Sequence, residues 1–174
     1  MPEISEIVRE YLKPVYSYAF RLTGDSQVAE DIAQETFVKV WKNLDRYDSK
    51  QSFKTRLFTI AHSTAIDYLR KRKSIPFSQL SFGNEENDEN SFAENIADQV
   101  PLAEEQLAKL DTQGELQKLL EKLPPATREL LTLRYQNDLT FAEIATILNL
   151  PLNTVKSTHR RALIPLRKLA SAPK

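Results

Sequence analysis

The sequence predicts an all-α protein built as two small helical domains joined by an acidic linker. Three observations predict it. Apolar residues recur every three or four positions on either side of a polar central stretch. Only three glycines stand against nine prolines, which disfavours tight β-hairpins and glycine-rich phosphate loops. The formal charge is zero overall, yet residues 1–74 carry net +3, residues 75–111 net −8 and residues 112–174 net +5. The expected divisions are an N-terminal three-helix domain over 1–74, an acidic flexible linker over 75–100 and a helix-turn-helix domain over 101–174. At 174 residues, each half lies near the lower size limit for an independent core.

In the first domain, helix one is expected over 3–22, with Ile4, Ile7, Val8, Leu12, Val15, Ala19 and Leu22 on one side. Pro14 should kink it. Thr23-Gly24-Asp25-Ser26 breaks the periodicity, and Asp25 or Ser26 can cap the second helix. Helix two is expected over 27–46, turning Val28, Ile32, Phe37, Val40, Trp41 and Leu44 toward a core. Helix three is expected over 53–73 and ends in Arg70-Lys71-Arg72-Lys73. The run SIPFSQLSFGNEENDENSFAEN, residues 74–95, is polar, acidic and without period, which marks a linker.

In the second domain a helix is expected over 101–122, with Gly114 as a weak point. Leu123-Pro124-Pro125 then sets up a short helix over 126–135. Thr140-Phe141-Ala142-Glu143 is a capping box that opens a helix to 148. Asn149-Leu150-Pro151 is a turn, because Asn tolerates the left-handed conformation. The last helix runs over 152–169, where Pro165 should kink or shorten it.

Composition excludes several functions. There is no cysteine, so disulfides, thiol nucleophiles and cysteine-ligated zinc are absent. The longest uncharged stretch, 144–155, is interrupted by Pro151 and is too short to span a membrane. The acidic start Met1-Pro2-Glu3-Ile4-Ser5-Glu6 has no secretory n-region, so a cytoplasmic location is expected. The two histidines, His62 and His159, fall in different halves, and no metal-ligand or nucleophile–base pattern emerges. No catalytic residue, metal or cofactor is expected.

Three constellations remain. Residues 139–161 read as a helix-turn-helix whose second helix is basic. Such a helix enters the DNA major groove. Lys156, Ser157, Arg160 and Arg161 share one face of it, and arginine reads guanine bidentately. The plainer reading is a solvated helix in a bundle. On helix two, Asp31, Gln34 and Glu35 lie at i, i+3 and i+4 and form one polar face, for solvent or for a protein partner. Helix three is basic at both ends around 57–66, a mixture of apolar and small polar groups. That mixture suits phosphates and unstacked bases, or simply a bundle helix.

Together these resemble a bacterial RNA polymerase sigma factor of the extracytoplasmic function group. The runs that carry the resemblance are AEDIAQETFVKVWKNLDRYD (29–48), FKTRLFTIAHSTAIDYLRKRK (53–73), LEKLPPATRELLTLRY (120–135) and LTFAEIATILNLPLNTVKSTHRRAL (139–163). The resemblance implies that Asp31, Gln34 and Glu35 dock on the clamp helices of core RNA polymerase. It implies that Lys54, Arg56, Ser63, Asp67 and Arg70 melt and read the promoter's minus-ten element. It assigns the minus-thirty-five element to Lys156, Ser157, Arg160 and Arg161. It further implies an anti-sigma factor as partner, and the free protein is expected to be monomeric. The acidic linker resembles a family segment that runs through polymerase channels, where acidic groups mimic phosphates.

Several positions depart from the family pattern. Arg56 stands where Trp is usual, Ser63 for Asn and His62 for Arg. Thr158 replaces an Arg, Arg160 a His or aromatic residue, and Pro165 a helix-compatible residue. These changes fall on the faces expected to read bases, so they leave the promoter sequence open. The rival reading is a stand-alone helix-turn-helix regulator that binds duplex DNA without polymerase. The acidic face of helix two and the basic third helix argue against it.

Overall fold

The structure is a computed structural model that describes residues 4–44, 52–72, 118 and 120–170. Among the described residues it is all-helical. The helices are α1 (Ile4–Thr23), α2 (Ser26–Lys42), α3 (Phe53–Arg72), α4 (Pro125–Leu131), α5 (Phe141–Leu148) and α6 (Leu152–Ala170). A π-helical turn, Thr132–Gln136, continues α4. The linker and the predicted helix over 101–122 lie outside the described residues, except for the end of that helix.

Local chemistry sets the boundaries. Gly24 adopts φ +67 and lets α1 turn into α2. The Asp25 carboxylate then accepts from the Gln27 and Val28 amides, at 3.0 and 3.2 Å, and caps α2. Helix α2 stops at Lys42, four residues short of its expected end, with Asn43 as C-cap. Pro125 occupies the first position of α4, where a missing N–H is harmless. The Thr140–Glu143 capping box is present in full. Asn149 sits at φ 53 and ends α5 in the left-handed conformation.

Neither internal proline ends its helix. Helix α1 continues through Pro14, and α6 runs through Pro165 to Ala170. An interior proline costs about 3 kcal/mol. Val15, Tyr18 and Ala19 come just after Pro14 and are wholly buried. Burying a large apolar side chain contributes about 1.5–3 kcal/mol, so packing offsets the lost hydrogen bond.

Helices α1, α2 and α3 pack as a three-helix unit, and α4, α5 and α6 form a second unit around the helix-turn-helix. The two units pack against each other, α5 on α3 and α4 on α1. One apolar cluster runs through both, from Ile7, Val15, Phe37 and Phe58 to Leu130, Leu133, Ile144 and Leu166. A smaller cluster of Ala19, Val28, Ala29, Ile32 and Ala65 joins the first three helices.

One expectation about the core is corrected, and one choice left open for the third helix is narrowed. Trp41 does not face it and is 64% exposed, whereas Phe37 and Val40 are buried. At 100° per residue, Trp41 lies about 100° from Val40, on the flank of Asp31 and Glu35. The centre of α3 is packing surface: Leu57, Phe58, Ala61 and Ala65 are completely buried. Phe58 meets Tyr18 edge-on at 5.5 Å, so it is unavailable to stack on bases.

Candidate functional surfaces

The α2 surface is built by helical spacing. Ile32, Ala33, Thr36, Phe37 and Val40 face inward, leaving Asp31, Gln34 and Glu35 in solvent as the spacing predicts. Val38 and Trp41, both exposed, extend this acidic stripe with apolar surface. Sequence periodicity misses that extension, because a large apolar residue near a core stripe reads as core. Helix α3 steadies the stripe from behind. The Tyr68 hydroxyl reaches Asp31 Oδ2 at 3.4 Å. Glu35 pairs with Lys39 at 2.9 Å, and Lys39 also donates to Thr64 of α3 at 3.1 Å.

The expected minus-ten residues divide. At 100° per residue, Arg56, Ser63, Asp67 and Arg70 fall within an arc of about 60°. Lys54 lies roughly half a turn away, on the side of the inward-facing Ala61 and Ala65. Ser63, Asp67 and Arg70 are exposed. Asp67 and Arg70 approach at 3.9 Å, a loose surface ion pair that leaves both groups available. Arg56 is partly committed: one guanidinium nitrogen donates to the Asn43 carbonyl at 3.0 Å and ties α3 to the end of α2.

On α6, Lys156, Ser157, Arg160 and Arg161 are all exposed on one side. Asn153, in the first turn, is exposed on that side too, and the sequence does not single it out. The opposite side is anchored by Val155, Thr158, His159 and Ala162. Thr158 therefore packs inward and does not join the reading face. His159 Nε2 pairs with the Tyr135 hydroxyl at 2.7 Å, and its ring meets Phe141 edge-on at 4.9 Å. Arg134 stacks on Phe141 as well, 4.9 Å from the ring centre. Burial, with the Arg134 charge adding to it, lowers the His159 pKa to about 4. The ring is therefore neutral at physiological pH and acts as a packing and hydrogen-bonding group.

Two carboxylates make polar contacts between the units, and neither is visible in the sequence. Glu129 of α4 is buried and accepts from the Tyr18 hydroxyl of α1. Its same oxygen meets His62 Nδ1 of α3 at 2.6 Å. Burial, then the Glu129 charge, push the Tyr18 pKa well up, so the phenol keeps its proton. The second contact is Glu143. Its Oε2 serves the capping box of α5, accepting from the Thr140 amide and hydroxyl, each at 2.8 Å. Its Oε1 accepts from Thr55 at 2.9 Å and Ser52 at 3.1 Å, at the start of α3. Partial burial pushes the Glu143 carboxyl up, but these donors outweigh it and hold the pKa below its usual value.

Among the described residues, no group of three or more His, Cys, Asp or Glu is placed to hold a metal, and no helix is long and apolar enough to cross a membrane. Residues 7–75 match the Sigma-70 region 2 family and residues 113–164 the Sigma-70 region 4 family. The chain is 34% identical to the ECF RNA polymerase sigma factor SigW of Bacillus subtilis, over 94% of this chain and 87% of that protein. It is 32% identical to SigM of the same organism, over 95% and 94% respectively. Its fold is similar to that of the sigma factor RpoE solved with the anti-sigma factor NepR from Bartonella quintana, with a TM-score of 0.67, 22% identity and 98% of both chains covered. It is similar also to CnrH solved with the cytosolic domain of CnrY, with a TM-score of 0.65, 21% identity, and 98% of this chain and 89% of that one covered. Two sigma domains in order, and full-length likeness at this identity, place the chain in the extracytoplasmic function group of RNA polymerase sigma factors, which direct core polymerase to promoters.

Proposed function

We propose that this chain is an alternative sigma factor in which α2 holds core polymerase, α3 captures the minus-ten element and α6 reads the minus-thirty-five element. Asp31, Gln34 and Glu35 supply the polar part of the polymerase contact. Val38 and Trp41 supply apolar area beside it, and tryptophan is among the residue types that concentrate binding energy at interfaces. Ser63, Asp67 and Arg70, with Arg56 at the margin, face the melted strand. Lys54 acts from a different side of α3 as a phosphate contact. Lys156, Ser157, Arg160 and Arg161 face the duplex, with Asn153 beside them.

The chain contributes binding energy and no catalytic group. Opening base pairs costs stacking energy, part of which a protein pocket recovers by holding a displaced base. The site of action is the cytoplasm, where polymerase and promoter are. An anti-sigma factor is the expected regulator, by analogy with the sigma factor RpoE of similar fold, which was solved with the anti-sigma factor NepR. The observation that carries the polymerase contact is the α2 stripe: three polar and two apolar side chains, exposed together with no fold partner that accounts for them all. A stand-alone regulator would have no use for it.

The test is a binding titration against bacterial core RNA polymerase. Asp31→Ala/Glu35→Ala should weaken binding tenfold or more, about 1.4 kcal/mol. Sequence-specific binding to duplex DNA with no affinity for core polymerase would overturn the reading.

A further inference from the structure

Asp31 and Glu35 stand about one turn apart on the α2 stripe, and each is tied to α3 by its own route. Lys39 carries the Glu35 tie. Its ammonium meets Glu35 Oε1 at 2.9 Å and also donates to the Thr64 hydroxyl at 3.1 Å. Thr64 is 1% exposed, so its hydroxyl is a fixed acceptor built into α3. Tyr68 carries the Asp31 tie. Its hydroxyl reaches Asp31 Oδ2 at 3.4 Å, while its ring packs on the cluster of Ala19, Val28, Ala29, Ile32 and Ala65.

An ion pair at i, i+4 on an exposed helix surface is weak by itself. The lysine stem has four rotatable carbons, so a lysine held at one point orders its partner little. Thr64 changes this, because it gives the Lys39 ammonium a second point of attachment on a different helix. Glu35 is then referenced to the body of the three-helix unit. A long side chain that loses its rotamer freedom on docking subtracts that loss from affinity. A side chain already held in place by the fold does not. The Glu35 side chain stays 53% exposed, so a partner still reaches it. The Lys39 charge acts the other way on a cationic partner, since it partly neutralises Glu35. Thr64 separates the two effects. It carries no charge, and being buried it touches neither polymerase nor promoter, so it acts on docking only through the placement of Lys39 and Glu35.

We propose that Thr64 and Lys39, with Tyr68 beside them, are positioning residues for the polymerase contact: they hold Glu35 and Asp31 in the side-chain conformations in which the α2 stripe docks. The inference deepens the polymerase reading of α2 and rests on it. A neutral, buried hydroxyl on the promoter-facing helix thereby sets the affinity for polymerase.

The test compares two Thr64 variants of the full chain in titrations against core RNA polymerase. Thr64→Val keeps the buried shape and removes the hydroxyl, and it should weaken binding threefold or more. Thr64→Ser keeps the hydroxyl and loses a buried methyl group. It should lower the thermal midpoint yet rescue binding to the parental level. A threonine that served stability alone would rank the two variants by their midpoints instead. In a Glu35→Ala background, Thr64→Val should bring no further loss, whereas in Asp31→Ala it should keep its full effect. Tyr68→Phe should show the converse pattern, with its effect kept in Glu35→Ala and lost in Asp31→Ala. Side-chain NMR relaxation of Glu35 in the free chain gives a readout independent of polymerase: ordered in the parent, mobile in Thr64→Val. A Glu35 side chain that is mobile in the free parent would overturn the proposal. So would parental affinity in Thr64→Val, or an equal loss in both backgrounds. A parent with an ordered Glu35 that binds no core polymerase fails the polymerase reading of α2 instead, so the two failures are told apart.

Discussion

At the residue scale, identity and environment decide role together. The two histidines illustrate this. His62 touches a carboxylate across the boundary between units, while His159 is sealed behind the recognition helix between Tyr135 and Phe141. The lowered His159 pKa gives a pH prediction with a definite sign. The unfolded chain takes up a proton on this ring below its ordinary value of 6.5, whereas the folded chain resists until about 4. Unfolding therefore binds a proton between those values, and the His159 contribution to stability is lost progressively as pH falls from about 6.5 toward 4. Thermal unfolding midpoints across that window should fall more steeply in the parent than in His159→Phe, which has nothing to titrate there. Glu143 titrates lower, below its own ordinary value, so its loss comes at more acid pH. Equal slopes in parent and variant would show that His159 is not buried neutral.

At the scale of elements, structure is legible in the sequence wherever the governing chemistry is local. The expected α1 lies within one residue of the observed helix at each end. The capping box, the Asn149 turn and the start of α3 also fall where expected, because caps and turn residues act over three or four positions. The prolines defeat a local reading because their penalty is opposed by tertiary burial. Pro165 is exposed on α6, between Ile164 and the buried Leu166. Pro165→Ala restores a backbone hydrogen bond and removes a steric clash without disturbing the core. It should raise stability by about 1–3 kcal/mol, read as a higher denaturant midpoint at unchanged slope. No gain would mean that α6 already bends at that point without strain. Trp41 escapes for a related reason. Periodicity assigns a tryptophan beside an apolar stripe to the core, and only the observed rotation of α2 turns it outward.

At the scale of the whole molecule, legibility falls off sharply. The exposed members of the three candidate surfaces can be named from spacing alone, because amphipathic helices expose what their cores do not need. The contacts between halves cannot. Tyr18 and Glu129 are 111 positions apart, and nothing in the local pattern marks either as a partner of the other. That long-range packing makes a prediction about cooperativity. Because one apolar cluster runs through both units, calorimetry of the full chain should show a single transition. In Tyr18→Phe/Glu129→Gln the transition should broaden or split as the units uncouple. Two resolved peaks in the parent would mean that the shared cluster contributes too little to bind the halves into one cooperative body.

The shared cluster also has a consequence for biosynthesis. The side of α1 and α3 that α4 and α5 cover is complete on the ribosome once Arg72 has been added, yet α4 does not begin until Pro125. At roughly 5–20 residues per second, the intervening stretch takes about 3–10 s to translate. For that interval the nascent N-terminal unit carries a bare apolar side, a target for chaperones and for wrong partners. The chain emerging just behind it is the most acidic part of the protein, with nine acids against one base over residues 75–111. Its like charge repels neighbouring nascent copies at the stage when they are most prone to adhere.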